Sequence, residues 1–274
     1  MAGRLQDKVA VITGASRGLG QYVAIGYAKE GARVVIAART ETESNPQLPG
    51  TIYHTAKLVE EAGGEAFPIV CNVADAESID AMTKAVLDKY GRIDIVMPNA
   101  AIQPPGTIGT IQPRHWELEF RINVHGTFHT IRSALPSMIE QGSGNIITIS
   151  SIAAHRGGSH YGATKRAIES MSLGLANELK DNGIVVNCLR PVGGIPTPGL
   201  MMGRRPGEVG PRDLPELPSE DSYVEAAVLF AMQTAQGVTG ACLTDAEALL
   251  QLGGRTEFEK YKAMNPASWS EGVV

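Results

Sequence analysis

Short apolar runs rich in β-branched residues alternate along this chain with longer stretches of helical spacing, and that alternation leaves few folds open. Lys8 to Thr13 ends at Gly14, helical spacing follows through Leu19, Val23, Ile25 and Tyr27, Gly31 stops it, and Arg33 to Ala38 is the next run. The same rhythm predicts strands over 66–71, 93–97, 146–150, 184–189 and 241–244, and helices over 52–62, 76–90, 115–140, 161–181 and 220–233. Runs with no polar alternation suit parallel strands covered by helices on both faces. The expectation is an α/β fold, a doubly wound parallel sheet of about seven strands, in one domain over 1–274.

Charge and apolar content exclude several partners. A net charge of -5 and the lack of any Lys/Arg run argue against a nucleic-acid surface. No segment approaches the roughly 18 apolar residues of a membrane span, and the start of the chain has no apolar leader, so a cytoplasmic location is expected. Cys71, Cys188 and Cys242 are widely spaced in apolar runs and read as buried thiols, with no metal or disulfide role.

Two connections break the rhythm. Thr40 to Thr51 contains Asn45-Pro46 and Pro49-Gly50, and Pro191 to Pro218 is rich in Pro and Gly. Loops this long inside a compact domain are usually functional or mobile. The second follows a strand's C-terminal end, where open α/β sheets bind ligands, and is read as a substrate lid at about 191–218, with a plain connection as the alternative.

Between the first strand and first helix lies Thr13-Gly14-Ala15-Ser16-Arg17-Gly18-Leu19-Gly20. Glycines there permit a tight turn and bring exposed N–H groups at a positive helix end close to a pyrophosphate. Within a βαβ unit this reads as a dinucleotide site. An NAD site wants a carboxylate at the end of the second strand, but this strand ends Ala37-Ala38-Arg39 with no acid before Glu41. Arg17 adds a second cation and Ser16 a hydroxyl donor, so NADP(H) is expected in preference to NAD(H).

The chemistry is expected between Ser151 and Lys165. Tyr161 and Lys165 are four apart on a helix that opens at Tyr161, so both lie on one face. A free tyrosine has a pKa of about 10, and bringing it near ~7 needs about 4 kcal/mol of differential stabilisation of the phenolate. Lys165 and an oxidised nicotinamide ring could supply it. Ser150 competes with Ser151 as the hydroxyl nearest the reacting oxygen, and strand alternation points the two to opposite sides. Ile102, Gln103, His155, Arg156, Met201 and Met202 follow strand ends and are expected to face the pocket.

The glycine turn, Asn99-Ala100 after the fourth strand, Asn123 in the long helix, Ser151, Tyr161-x-x-x-Lys165 and Pro191 after the sixth strand stand in one order. That order resembles the short-chain dehydrogenase/reductase family over essentially the whole chain. The resemblance implies a single-domain Rossmann fold in which Ser151 hydrogen-bonds the substrate oxygen, Tyr161 is the acid/base and Lys165 binds the nicotinamide ribose and lowers the tyrosine pKa. Asn123 would hold a water of the proton relay. It further implies cofactor contacts at Gly14, Ser16, Arg17, Gly18, Leu19, Gly20, Arg39, Asn72, Val73, Asn99, Tyr161, Lys165, Pro191 and Thr197, and no metal site. The chain departs from the family's pattern at Pro98 and Ala101, at Asn72, at Val192 and in a loop 152–160 about three residues shorter than in many relatives.

The function so implied is an NADP(H)-dependent oxidoreductase moving a hydride between nicotinamide and a carbonyl or secondary alcohol. A non-catalytic nucleotide-binding scaffold, or a lyase or epimerase on the same fold, is the alternative. A homodimer or homotetramer is expected, with Ile168, Met171, Leu175 and Leu179 read as an outer apolar stripe.

Overall fold

Both faces of the first two apolar runs are covered, and alternate residues go to opposite sides. Ala10, Ile12, Val34 and Ile36 join one core cluster, while Val9, Val11, Val35 and Ala37 join another. The structure is a computed structural model describing residues 2–43, 45–157, 159–195, 197–202 and 220–264, without the side chains of residues 201, 202 and 264.

Seven strands form one parallel sheet: β1 Val9–Thr13, β2 Arg33–Ala38, β3 Glu65–Val70, β4 Ile95–Met97, β5 Gly144–Ile149, β6 Ile184–Arg190 and β7 Cys242–Thr244. Their order is β3-β2-β1-β4-β5-β6-β7. The helices are α1 Gly18–Lys29, α2 Ile52–Glu61, α3 Ala76–Tyr90, α4 Pro113–Phe120, α5 Gly126–Gln141 and α6 Ala153–Arg156. They continue with α7 His160–Leu179, α8 Pro198–Met202, α9 Glu220–Ala231, α10 Asp245–Ala248 and α11 Gly254–Met264. One core joins Tyr27 of α1 and Tyr223 and Phe230 of α9 to the sheet; the other joins Met82 and Val86 of α3, Ile131 and Met138 of α5 and Leu179 of α7. The doubly wound expectation therefore holds. Pro68 lies within β3, which has a partner only in β2, and a residue without an N–H is tolerated at such an edge.

Five expectations need correction. The helix expected over 115–140 is interrupted: Gly126 N–H donates to Arg121 O, five residues back, in a π turn over Arg121–His125 that separates α4 from α5. Segment 152–160, read as loop, contains α6, and α10 and α11 follow β7 where no helix was expected. Ile168 and Leu179 are not part of an outer stripe, being 1% and 3% exposed, whereas Leu173 on the same helix is 47% exposed. Cys71 and Cys188 are buried thiols as expected, but Cys242 is only half-buried. The lid call at about 191–218 falls mostly on residues outside those described. Among the described residues no helix is long and apolar enough to cross a membrane, and no group of three or more His, Cys, Asp or Glu is placed to hold a metal ion.

Candidate active site

The strand order reverses between β1 and β4, so the loops leaving these strands diverge and open a crevice at the sheet's C-terminal edge. The glycine turn lies there. Gly14 and Gly18 have φ of 68° and 61°, in the left-handed region. A Cβ on Gly14 would stand 2.7 Å from Ala100 Cα, and one on Gly20 would stand 2.5 Å from Asn99 Nδ2. Asn99 Nδ2 donates to Thr13 O at 2.9 Å and Ala100 N–H to Thr13 Oγ1 at 3.2 Å, pinning the loop after β4 to the end of β1. Thr197 arrives from the far side of the sheet, its Cβ and Cγ2 3.3 Å from where a Cβ on Gly18 would be.

Helices α2, α3 and α7 begin with side-chain caps from Thr51, Asp75 and Ser159, but no side chain caps α1. Its first N–H groups keep their capacity to bind an anion. Ser16 is buried and Leu19 half-buried beside them. A turn stripped of side chains at an uncapped helix start fits a dinucleotide pyrophosphate. Gly14→Ala is expected to weaken nucleotide binding at least about tenfold, because it adds both a backbone clash and left-handed strain. Cofactor fluorescence titration measures it, and unchanged affinity would contradict the assignment.

At the end of β2, Arg17 Nε donates to Pro49 O at 3.0 Å, and its Nη2 donates to Gly50 O at 2.8 Å and Thr40 Oγ1 at 3.3 Å. The guanidinium thus also holds the long loop after β2, a task the sequence did not reveal. Burial first, then the neighbouring charge of Arg39, lowers the Arg17 pKa. Arg39 is exposed, and Glu41 is occupied by the Tyr53 hydroxyl at 3.0 Å. Asn72 Oδ1 accepts from Ala74 N–H at 3.2 Å, and a Cβ on Gly126 would come within 2.9 Å of Val73 O, so the loop after β3 rests on the start of α5.

Tyr161 and Lys165 share a face of α7, with the ammonium 5.4 Å from the phenol ring centre. Lys165 Nζ donates to Ile149 O at 2.8 Å, fastening the pair to the end of β5, two residues before Ser151. Ser151 is half-buried and its Oγ accepts from Ala153 N–H at 3.2 Å. Ser150 is committed elsewhere, donating to Glu169 Oε1 at 2.7 Å. Asn123, inside the π turn, clamps Ile102 by two bonds of 2.9 Å and donates to Thr164 Oγ1 at 3.1 Å; Thr164 in turn donates to Tyr161 O at 2.8 Å. Asn123 thereby ties the loop after β4 to the helix bearing Tyr161 and Lys165.

The electrostatics differ from the expectation in one respect. Burial, followed by the charge of Glu119, raises the Tyr161 pKa above its ordinary value, while burial lowers Lys165 to about 8. In the protein alone, the lysine does not bring the phenol down, because its own charge is desolvated and its Nζ is engaged by Ile149 O.

Two buried carboxylates beside Tyr161 and Ser150 escaped the sequence reading. Glu119 of α4 meets His160, and Glu169 of α7 gathers Ser150, His155, Arg166 and Arg190. Periodicity held a signal for Glu169, four residues after Lys165 on the same helical face, whereas the π turn that contains Asn123 removes it for Glu119. His155, expected to face the pocket, instead turns its Nε2 to Glu169 at 3.0 Å and Arg190 at 2.7 Å. Arg156 and Gln103 are exposed, Ile102 is half-buried, and the side chains of Met201 and Met202 lie outside those described. After β6, Pro191 is half-buried and Val192 N–H donates to Asp245 Oδ1 at 2.6 Å, with Ser222 Oγ on Oδ2 at 3.1 Å; burial raises the Asp245 carboxyl to about 6.

A doubly wound parallel sheet with a glycine turn and an uncapped helix start at its switch point is a Rossmann-like fold. The chain belongs to the short-chain dehydrogenase/reductase family: a profile described as short chain dehydrogenase matches residues 8–205. Hydroxysteroid dehydrogenase-like protein 2 of Danio rerio is 33% identical over 267 residues, 94% of this chain but 61% of that protein, so the chain spans less than two thirds of that relative. An uncharacterized oxidoreductase of Staphylococcus aureus is 30% identical over 231 residues, 83% of this chain and 92% of its own. A metagenomic short-chain oxidoreductase solved with NADP superposes with a TM-score of 0.72 at 27% identity, covering 88% of this chain and 98% of its own. Carveol dehydrogenase of Mycobacterium avium, solved with NAD, shares the fold with a TM-score of 0.76 at 24% identity, covering 88% and 95%.

Proposed function

We propose that this protein is an NADP(H)-dependent carbonyl reductase, or equivalently a secondary-alcohol dehydrogenase, with Tyr161 as its acid/base. The observation that carries this reading is the Lys165 Nζ bond to Ile149 O, which holds phenol and ammonium at the strand end bearing Ser151. Bound nicotinamide would supply or accept the hydride. In reduction, Tyr161 gives its phenol proton to the developing alkoxide while Ser151 Oγ donates a hydrogen bond to the same oxygen. Lys165 binds the nicotinamide ribose, and Asn123 keeps the loop after β4 in register with α7 and holds the relay water. Gly14, Ser16, Gly18, Leu19 and Gly20 carry the pyrophosphate; Asn72 and Val73 flank the adenine; Asn99, Pro191 and Thr197 line the nicotinamide side.

The preference for NADP(H) rests on Arg17 and Arg39, close enough for one charge to lower the other's pKa, with Glu41 engaged by the Tyr53 hydroxyl and Glu43, which acts on Arg17 in the opposite sense, by Gly50 N–H. A 2′-phosphate there would relieve their repulsion. The 27%-identical neighbour that binds NADP is consistent with this. The protein acts as one domain in the cytoplasm on a small carbonyl or alcohol. It assembles as a homodimer or homotetramer across the groove lined by Phe128, Ile131, Leu135, Met171 and Leu175.

The test follows cofactor absorbance with a panel of carbonyl compounds. Net oxidation of NADPH, with a Michaelis constant at least about tenfold below that for NADH, is expected from one charge-assisted phosphate contact. Preference for NADH would sink the cofactor assignment. Cofactor that binds but is never consumed would favour a scaffold, and substrate conversion without net consumption a lyase or epimerase.

A further inference from the structure

We propose that Glu119 and His160 form a buried dyad sharing one proton, which is released before Tyr161 ionises, so that the charge left behind holds the phenol protonated; the inference rests on reading Tyr161 as the acid/base. Glu119 is fully buried and His160 is 2% exposed. His160 Nδ1 lies 2.6 Å from Glu119 Oε2, and its Nε2 lies 3.1 Å from Gly106 O. The dyad thus links α4, the residue preceding Tyr161, and the loop after β4.

Its proton count follows from the partners. A carbonyl oxygen only accepts, so Nε2 carries a hydrogen. The short contact on the other side then needs one more, either on Nδ1 facing a carboxylate or on Oε2 facing a bare Nδ1. Both arrangements hold the same number of protons and no net charge. Glu119 Oε1 is buried with no hydrogen-bond partner among the described residues, which makes a bare carboxylate costly there. Burial raises the Glu119 carboxyl, with His160 and then Lys165 acting against it.

Removing the shared proton leaves a net negative charge in a desolvated place. The charged and titratable groups facing Glu119 are His160, Tyr161 and Lys165, all on α7, and the loop after β4 contributes the Gly106 carbonyl. Glu119 opposes ionisation of Tyr161, so a phenolate and a deprotonated dyad exclude one another. While the dyad keeps its proton, Tyr161 can lose and regain its own with no like charge beside it. Loss of the proton also costs the dyad one of its two hydrogen bonds.

Glu119→Gln isolates the electrostatic part. The amide N–H can donate to Nδ1 while Nε2–H still donates to Gly106 O, giving a pair with no carboxylate to ionise. Titrating tyrosinate absorbance in the full chain, with the Tyr161→Phe spectrum subtracted, reports Tyr161 without requiring turnover. The midpoint is expected to fall by about one pH unit in Glu119→Gln, and the basic limb of carbonyl reduction to move down with it. Glu119→Asp, which keeps the charge, should stay near the unmodified protein. An unchanged midpoint in folded Glu119→Gln overturns the proposal, even if its rate falls, since that would be a structural effect alone. If Glu119→Gln does not fold, Glu119→Leu with His160→Phe removes both members and leaves neither unpaired, and the same fall is expected. Failure of the underlying reading would appear separately, as carbonyl reduction that survives Tyr161→Phe.

Discussion

Tyr161→Phe is expected to lower carbonyl-reduction turnover by at least about 10²-fold while leaving NADPH binding unchanged. The ring packs as before, 5.4 Å from Lys165 Nζ, and α7 keeps its anchorage through Lys165 to Ile149 O and through Asn123 to Thr164. Only the dissociable proton is lost. Because burial holds the phenol above its ordinary value, it is protonated around neutral pH, as an acid for reduction must be. Stopped-flow kinetics for turnover and fluorescence for nucleotide affinity separate the two effects. Residual turnover within tenfold of the unmodified enzyme would remove Tyr161 as the acid.

The largest stability effect is expected at Glu169. Its carboxylate is 3% exposed and accepts from Ser150 Oγ at 2.7 Å and Arg166 Nη1 at 2.8 Å, with His155 Nε2 at 3.0 Å and Arg190 Nη1 at 3.5 Å. Glu169→Ala leaves the buried Ser150 hydroxyl and the mostly buried Arg190 without this acceptor, while Arg166 and His155 turn to water, at a cost of about 1–3 kcal/mol, or roughly 5 °C in Tm for a chain of this size. The pH dependence has a definite sign. Burial alone would raise the Glu169 carboxyl, but the bonds from Ser150, His155 and Arg166 outweigh it and hold the pKa below the ordinary 4.5. A carboxyl lowered in the folded state contributes fully above its ordinary pKa and loses that contribution as pH falls through the folded value. The Tm difference between Glu169→Ala and the unmodified protein should therefore be full at neutral pH and shrink below pH 4.5. Thermal melts across that range decide it; a constant difference would show that Glu169 acts by packing alone.

The sequence disclosed what depends on local pattern. Two-sided burial follows from unbroken β-branched runs, the cradle from three glycines between strand and helix, and the Tyr161–Lys165 pair from a spacing of four. What stayed hidden depends on partners distant along the chain. Glu119 and His160 are 41 residues apart, and in a helical pattern Glu119 reads as one more solvent-facing acid. The π turn was invisible for another reason: its extra residue rotates the helix by part of a turn, and apolar residues on both sides continue without a gap. The outer stripe on α7 failed at Ile168 and Leu179 because both are buried, Leu179 in the core against the sheet, and spacing alone cannot distinguish such positions from a second apolar face.

The two ends of the sheet bear on how these molecules behave when crowded. A strand at the rim of a sheet is a template for a stray chain to join, and aggregation begins there. Here one rim is β3, where Pro68 removes a donor midway, and the other is β7, three residues long and followed at once by α10. Neither offers an unbroken ladder. Both edges are thereby blunted against the edge-to-edge growth that leads to fibres.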